Sequence, residues 1–243
     1  MHSKDVKIVI PARYESKRLP GKPLIDLKGV PMVIRTANTC CEAIGKDNVF
    51  VATDDYRIHL VCKEYGINSI DTPTNCLTGT DRVASCVDFL GDCDLIVNVQ
   101  GDEPLVLKEN ILKVINDYFK YNITTTGFTK ILDKQDFFNP NIVKFAISND
   151  NLIYASRAGI PSNKKLEFYK GFCHVPIYAY KKSDLVKFFK SSKNGKTQLE
   201  NEEDIEILRL IELGIQVKTS YIKEYKPAID VHADSNKVLG YIE

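Results

Sequence analysis

Apolar residues fall along the first half of this chain in two alternating rhythms, and the alternation predicts its elements. Val6 to Ile10 and Asn48 to Asp54 are short, nearly continuous apolar runs that close on polar residues, the pattern of strands covered on both faces. Between them, Met32 to Ile44 carries the three-and-four spacing of a helix docked on a sheet, with Pro31 at a first helical position. Tyr56 to Tyr65 reads as a second helix stopped by Gly66, and Ile67 to Ile70 as a short strand. Asp94 to Val99 has the strongest character of a central strand, followed by a helix over Leu107 to Tyr121. Strand and helix taken in turn point to an α/β fold built on a mainly parallel, doubly wound sheet.

Ile123 to Lys130 and Ile142 to Ile147 read as further strands, the latter turning through Asn149-Asp150-Asn151 into Leu152 to Ala155. Phe172 to Lys181 is another strand, with His174 inside it and Pro176 marking an edge or a bulge. Asn201 to Gly214 is expected as one helix, with Ile205, Leu208 and Ile211 on a shared face. No internal period or low-complexity tract appears, so residues 1–243 are read as a single domain able to bury a sizeable core.

Charge narrows the partners. The 33 basic and 32 acidic residues nearly cancel, to +1, so no global field draws in nucleic acid or a membrane surface. Any anion site must be local. Seven cysteines, Cys40, Cys41, Cys62, Cys76, Cys86, Cys93 and Cys173, are scattered without a C-x-x-C pair and read as reduced thiols. No apolar run approaches the roughly 18 residues of a membrane span, and nothing has the pattern of a signal peptide. The expectation is a cytoplasmic protein without membrane or nucleic-acid partners.

Three turns carry candidate chemistry. The loop after the first strand holds Arg13, Lys17, Arg18 and Lys22 against the single acid Glu15. The carboxyl end of a strand is where an open α/β sheet binds ligands, and Gly21 lets the backbone come close to a phosphate. The loop is not a Walker A motif, because Ala12 to Arg18 lacks glycine and Pro23 follows the lysine. On charge alone, a solvated basic surface serves as well. At the second turn, Thr78-Gly79-Thr80-Asp81-Arg82, Thr80 or Asp81 is expected to cap a helix reaching about Leu90. At the third, Gln100-Gly101-Asp102-Glu103-Pro104, Asp102 either caps the next helix or holds a cation. Magnesium suits the second role, since it takes one or two protein carboxylates and fills its shell with phosphate oxygens and water.

The segments P-A-R-x-x-S-x-R-L-P-G-K-P-L, from Pro11 to Leu24, and N-V-Q-G-D-E-P, from Asn98 to Pro104, match two signatures. They resemble those of the 3-deoxy-manno-octulosonate cytidylyltransferases, the CMP-Kdo synthetases. Later segments are also similar, around Phe137 to Lys144, Tyr154 to Pro161, His174 to Tyr180 and Leu199 to Arg209. The resemblance implies a three-layer, Rossmann-like fold of the nucleotide-diphospho-sugar transferase type, with a small β extension at about 155–182 that would serve as a homodimer surface. It implies transfer from CTP to a 3-deoxy-2-ulosonic acid, releasing pyrophosphate, with Mg2+ as cofactor and a product destined for lipopolysaccharide or capsule. By the same resemblance Lys22, Arg13, Asp102 and Asp230 are catalytic, the two aspartates holding the metal. Ala12, Arg13, Ser16, Arg18, Lys22, Gly79, Thr80, Arg82 and Gln100 would bind nucleotide. Arg157, His174, Tyr178, Glu206 and Ile207 would face the acid sugar.

Departures gather on the sugar side. Pro176 stands in place of the family's glycine, Ile207 in place of a glutamine, and Val231, His232 and Ala233 in place of Thr-Pro-Glu. They open the alternative of a modified acceptor, such as an 8-amino-substituted Kdo or a nonulosonic acid, because a substrate hydroxyl left unpaired in a buried site is expensive. A catalytically silent regulatory paralogue is the remaining alternative, against which the retained Lys22, Asp102 and Asp230 speak.

Overall fold

The computed structural model describes residues 5–15, 19–225 and 240–242. Ser16, Arg18 and Asp230, and the departures at 231–233, lie outside them. Contacts within the chain group into two compact units, Met1–Leu112 with Lys226–Glu243, and Lys113–Tyr225.

In chain order the first unit contains β1 (Val6–Pro11), a small hairpin of β2 (Asp26–Leu27) and β3 (Val30–Pro31), α1 (Met32–Ile44), β4 (Val49–Thr53), α2 (Tyr56–Glu64), β5 (Asn68–Asp71), α3 (Gly79–Ser85) and β6 (Leu95–Val99). Strand β1 lies between β4 and β6, with β5 outside β4, and every pairing is parallel. Ile8, Val9, Ile10, Val49, Val51, Leu95, Ile96 and Val97 are all fully buried, which is why these strands read as continuous apolar runs rather than alternating ones. Val9 pairs with Asn98 on one side and Phe50 on the other, so β1, β4 and β6 finish nearly level. That register brings the cationic loop and the Gln100–Asp102 turn to one edge of the unit.

Two helix starts differ from expectation. Pro31 occupies the residue before α1 in an extended conformation, where its fixed φ sets the entry angle of the chain. Helix α3 is capped by Thr78, whose hydroxyl accepts from the Asp81 N–H at 3.1 Å, and it ends at Ser85 rather than Leu90. Thr80 and Asp81 are instead buried within its first turn. Thr78 and Asp81 form an S/T-x-x-D/E-like pair, and the Thr78 hydroxyl also donates to the Asp81 carboxylate at 2.8 Å.

The division falls inside α4 (Lys108–Tyr121). The second unit continues with β7 (Thr125–Ile131), α5 (Lys134–Phe138), β8 (Lys144–Ser148), β9 (Asn151–Ser156), β10 (Gly171–Tyr180), α6 (Lys182–Ser191), α7 (Gln198–Glu203), α8 (Ile207–Glu212) and β11 (Lys218–Tyr221). Its strands run in the order β10, β7, β11, β9, β8, and only β7 with β11 is parallel. The register of β10 on β7 shifts between Val175 and Tyr178, around Pro176, which has no N–H to give the ladder.

Within the expected extension at about 155–182 the strands are the end of β9 and β10, both members of this sheet, joined by residues 157–170, which contain no strand. One element of the second unit corrects the sequence reading. The helix expected over Asn201 to Gly214 is broken into α7 and α8 by Asp204, which adopts a left-handed backbone with φ of 51°. Arg157 supplies what the break needs. Its Nε and Nη2 donate to the Glu203 and Asp204 carbonyls at 2.7 and 2.9 Å, satisfying oxygens that the ended helix leaves unpaired.

Candidate active site

A cleft in the first unit is lined by the β1 exit at Pro11, Ala12 and Arg13, by Lys22, by Cys76 to Gly79 and Arg82, and by Gln100 to Asp102. Lys22 starts a single 3-10 turn after Gly21, which takes a left-handed φ of 71°. The Gly21 N–H donates to the Tyr14 carbonyl at 2.9 Å, closing the loop at its base. Lys22 Nζ then reaches the Asp102 carboxylate at 2.6 Å, across 80 residues of sequence. The two side chains are 11% and 33% exposed, so the pair is sheltered but faces the cleft.

Glycine permits the close approach of the remaining walls. A Cβ on Gly101 would lie 2.9 Å from the Pro11 carbonyl, a contact that real side chains do not make. A Cβ on Gly79 would meet the Gln100 amide oxygen at 3.1 Å. Gln100 itself donates to Asn98 at 3.3 Å, which ties the amide to β6. The cleft is flanked by Arg13 and Lys22, with Gly79 and Gly101 packed closely into its walls, a composition suited to an anionic, phosphate-bearing ligand.

Arg82 reaches the cleft wall, as the sequence suggested, but its guanidinium is engaged by the protein. It is 3% exposed, and its guanidinium donates to the Thr72 hydroxyl and, at 2.9 Å, to the Asp54 carboxylate just beyond β4. It braces the α3 wall from behind while its edge borders the cleft. Thr80 is likewise buried, its hydroxyl 3.4 Å from the Asn98 amide. Thr78 and Cys76 border the cleft without having been singled out; the capping pattern Thr-x-x-Asp was the available signal for Thr78.

In the second unit the expected sugar-side residues are set into the protein's own packing. The His174 ring stacks on Phe145 at 4.7 Å and meets Tyr178 edge-on at 5.1 Å, with Nε2 3.2 Å from the Thr126 hydroxyl. Burial pushes its pKa down to about 3, so the imidazole is neutral at physiological pH. Tyr178 is buried and stacked on Tyr180, Ile207 is buried at the start of α8, and Glu206 is partly buried just ahead of it. Arg157 also donates to the Pro140 carbonyl at 3.0 Å, so three of its five donors are committed to the backbone. Glu203, unremarked in the sequence, accepts from Ser156, Tyr154 and the Arg157 N–H. Burial alone would raise its carboxyl, but those hydrogen bonds outweigh it and hold the pKa below the usual carboxylate range.

Among the described residues no group of three histidine, cysteine or acidic side chains converges as a metal cage. What is present suits a cation that brings most of its own shell: one accessible carboxylate, Asp102, already facing the positive charge of Lys22.

A family model described as cytidylyltransferase matches residues 7–220. The 8-amino-3,8-dideoxy-manno-octulosonate cytidylyltransferase of Shewanella frigidimarina is 35% identical over 239 residues, which cover 96% of each chain. Its counterpart from Shewanella pealeana is 34% identical over 95% of each. Among solved structures, a CMP:2-keto-3-deoxy-manno-octonic acid synthetase complexed with CTP superposes with a TM-score of 0.88 at 31% identity, over 98% of both chains. The 4-diphosphocytidyl-2C-methyl-D-erythritol synthase of Anaerococcus prevotii, with a TM-score of 0.67 at 16% identity, shares the fold alone.

Proposed function

The chain belongs to the cytidylyltransferase family, and from that premise we propose that it transfers CMP from CTP to a 3-deoxy-2-ulosonic acid of the Kdo type, releasing pyrophosphate. The observation that carries the reading is the sheltered Lys22–Asp102 pair, which lines the same cleft as Arg13, Gly79 and Gly101. A triphosphate needs cationic side chains for its charge, and the cation it carries needs a carboxylate beside them.

The anomeric hydroxyl of the sugar attacks the α-phosphorus as the bond to the β-phosphate oxygen breaks, and its proton passes to solvent. This chain's part is positioning and charge compensation. Lys22 and Arg13 neutralise the phosphates, with Arg18 and Ser16 assigned to the same loop by the family signature. Gly79 and Gly101 let the walls of the cleft close up behind the nucleotide, and Ala12 and Gln100 border it. Asp102, together with Asp230, would hold Mg2+; when bound, the ion supplies charge withdrawal at the α-phosphate and a lower pKa for the attacking hydroxyl. In the second unit, neutral His174 offers a hydrogen bond rather than a charge to the sugar, and Glu206 accepts from hydroxyls. Arg157, whose Nη2 also stands 3.9 Å from the Asp204 carboxylate, would turn its remaining donors to the sugar carboxylate. Such an enzyme works where CTP is made, in the cytoplasm, and no described helix is long and apolar enough to cross a membrane. A homodimer is part of the same proposal, supported by the exposed Leu166 and Tyr169 of the 157–170 segment.

A second reading has its own support. The similar Shewanella proteins are named for an 8-amino-3,8-dideoxy acceptor, and Ile207 buries an apolar side chain where the Kdo signature has an amide. Pyrophosphate release with CTP and Mg2+ tests both, with Kdo, its 8-amino analogue and a nonulosonic acid supplied in parallel. Turnover of Kdo supports the first reading, turnover of the 8-amino sugar alone supports the second, and absence of CTP-dependent release with all three overturns both.

A further inference from the structure

Beyond the cleft, the corner between β4 and α2 makes a contact that no cytidylyltransferase signature in this sequence includes. Asp55 caps α2 by accepting from the Arg57 N–H at 2.9 Å, and the same carboxylate takes Arg57 Nε at 2.9 Å and Nη2 at 2.6 Å. Those hydrogen bonds from Arg57 hold the Asp55 carboxyl below its ordinary range. The guanidinium folded back in this way is a flat plate. It lies 3.2 Å from the centre of the Tyr14 ring. Tyr14 packs in turn against Gly21, where a Cβ would stand 3.2 Å from the ring carbon Cζ and the phenol oxygen, and its carbonyl receives the Gly21 N–H. Gly21 is the residue that hands the chain to Lys22. One residue before Asp55, Asp54 holds Arg82 and with it the α3 wall.

We propose that Arg57, clamped by Asp55, is a positioning residue for the nucleotide site: it presses Tyr14 onto Gly21 and thereby fixes where Lys22 stands. The β4–α2 corner thus braces the cleft twice, through Asp54 to the α3 wall and through Asp55 and Arg57 to the cationic loop. Arg57 lines no part of the cleft, and its side chain is about half exposed. Its effect passes through a stack of the cation–π kind, which carries more weight for arginine than for lysine because the planar group covers the ring. The inference rests on the CTP reading for its kinetic consequence but not for its structural one.

The test therefore has two readouts, made on Arg57→Ala, Arg57→Lys and Tyr14→Ala in the full chain. Hydrogen exchange at the Gly21 amide is followed without nucleotide, and KM for CTP is separated from kcat. Arg57→Ala is expected to speed exchange at Gly21 and to raise KM for CTP by about three- to tenfold while kcat stays within about twofold. Arg57→Lys should recover part of the loss, and adding Arg57→Ala to Tyr14→Ala should cost little more, since both remove one contact. Unchanged exchange at Gly21 overturns the brace. Faster exchange with an unchanged KM overturns its role in placing Lys22. Faster exchange in a protein whose wild type never turns over CTP leaves the brace standing and removes the functional reading instead.

Discussion

The charged side chains that meet at the cleft of the first unit and those singled out in the second are used in opposite ways. In the first, Lys22 and Asp102 meet at the mouth of a cleft, and Arg13 stands exposed beside them. In the second, the cations are spent on the protein itself: Lys144 on the Asn139 and Ile142 carbonyls, Arg157 on three more, and Arg209 on the fully buried Glu200. A buried charge must be paired or hydrogen-bonded, so side chains used in this way are structural before they are anything else. A site for a polyanion can be read from charges that face a cleft. A site for a sugar has to be read from neutral groups, and those look like ordinary core.

The largest effect expected from this contrast is at Asp102. Asp102→Asn keeps the size of the side chain but removes the charge that faces Lys22 and, in the proposed reaction, the metal. Pyrophosphate release should fall by about 10²–10³-fold or more, with the circular dichroism spectrum unchanged because the carboxylate is not part of a core. Activity near that of the wild type would remove Asp102 from the reaction and with it the contrast between the units.

Gly101→Ala probes the same cleft through shape. The new methyl group must push away the Pro11 carbonyl, a backbone atom that cannot rotate aside, at the 2.9 Å contact. A cost of about 1–3 kcal/mol in urea unfolding is expected, together with a raised KM for CTP. If the variant is as stable as the parent, Pro11 can give way and the Gly101 contact does not shape the cleft.

How legible each part was in the sequence follows from how local its cause is. The strands β1, β4 and β6 and the cleft they feed could be read because continuous apolar runs, a left-handed glycine and a carboxylate at a strand tip are properties of neighbouring residues. The two-helix break at Asp204 could not. Nothing within the Asn201 to Gly214 window announces it, for the groups that stabilise it come from Arg157, 46 and 47 residues away. The same holds for Arg82, whose place in the nucleotide site was read from the motif, while its partner Asp54, 28 residues earlier, was not. Long-range partners decide whether a polar residue is a ligand or a strut, and a single sequence does not display them.

Position 207 separates these cases on the sugar side. Ile207 is 1% exposed at the start of α8, so an inserted glutamine must find hydrogen-bond partners or lose hydration for nothing. If the site is plain core, Ile207→Gln should cost about 1–3 kcal/mol of stability with no change in the ranking of acceptors. If it borders the sugar, the amide will be satisfied there and the preference between Kdo and its 8-amino analogue should move by about tenfold. A variant that keeps both its stability and its ranking would exclude either role.

The smallest effect concerns His174, and its sign tells what kind of site the second unit offers. With a folded pKa of about 3 against an ordinary value of 6.5, the ring is neutral in both folded and unfolded chains above about pH 7, and contributes nothing to the pH dependence there. As pH falls below 6.5, the unfolded chain takes up a proton that the folded ring refuses, so stability drops progressively toward pH 3. Between pH 7 and pH 5 the loss attributable to this residue should be about 1–2 kcal/mol. Urea titrations of the wild type and of His174→Phe, which keeps the stack on Phe145, isolate it: the wild type should lose more over that interval than the variant. Equal losses would mean that the ring ionises freely, in which case the second unit would present a cation to the proposed sugar below pH 6.5 and the contrast with the first unit narrows.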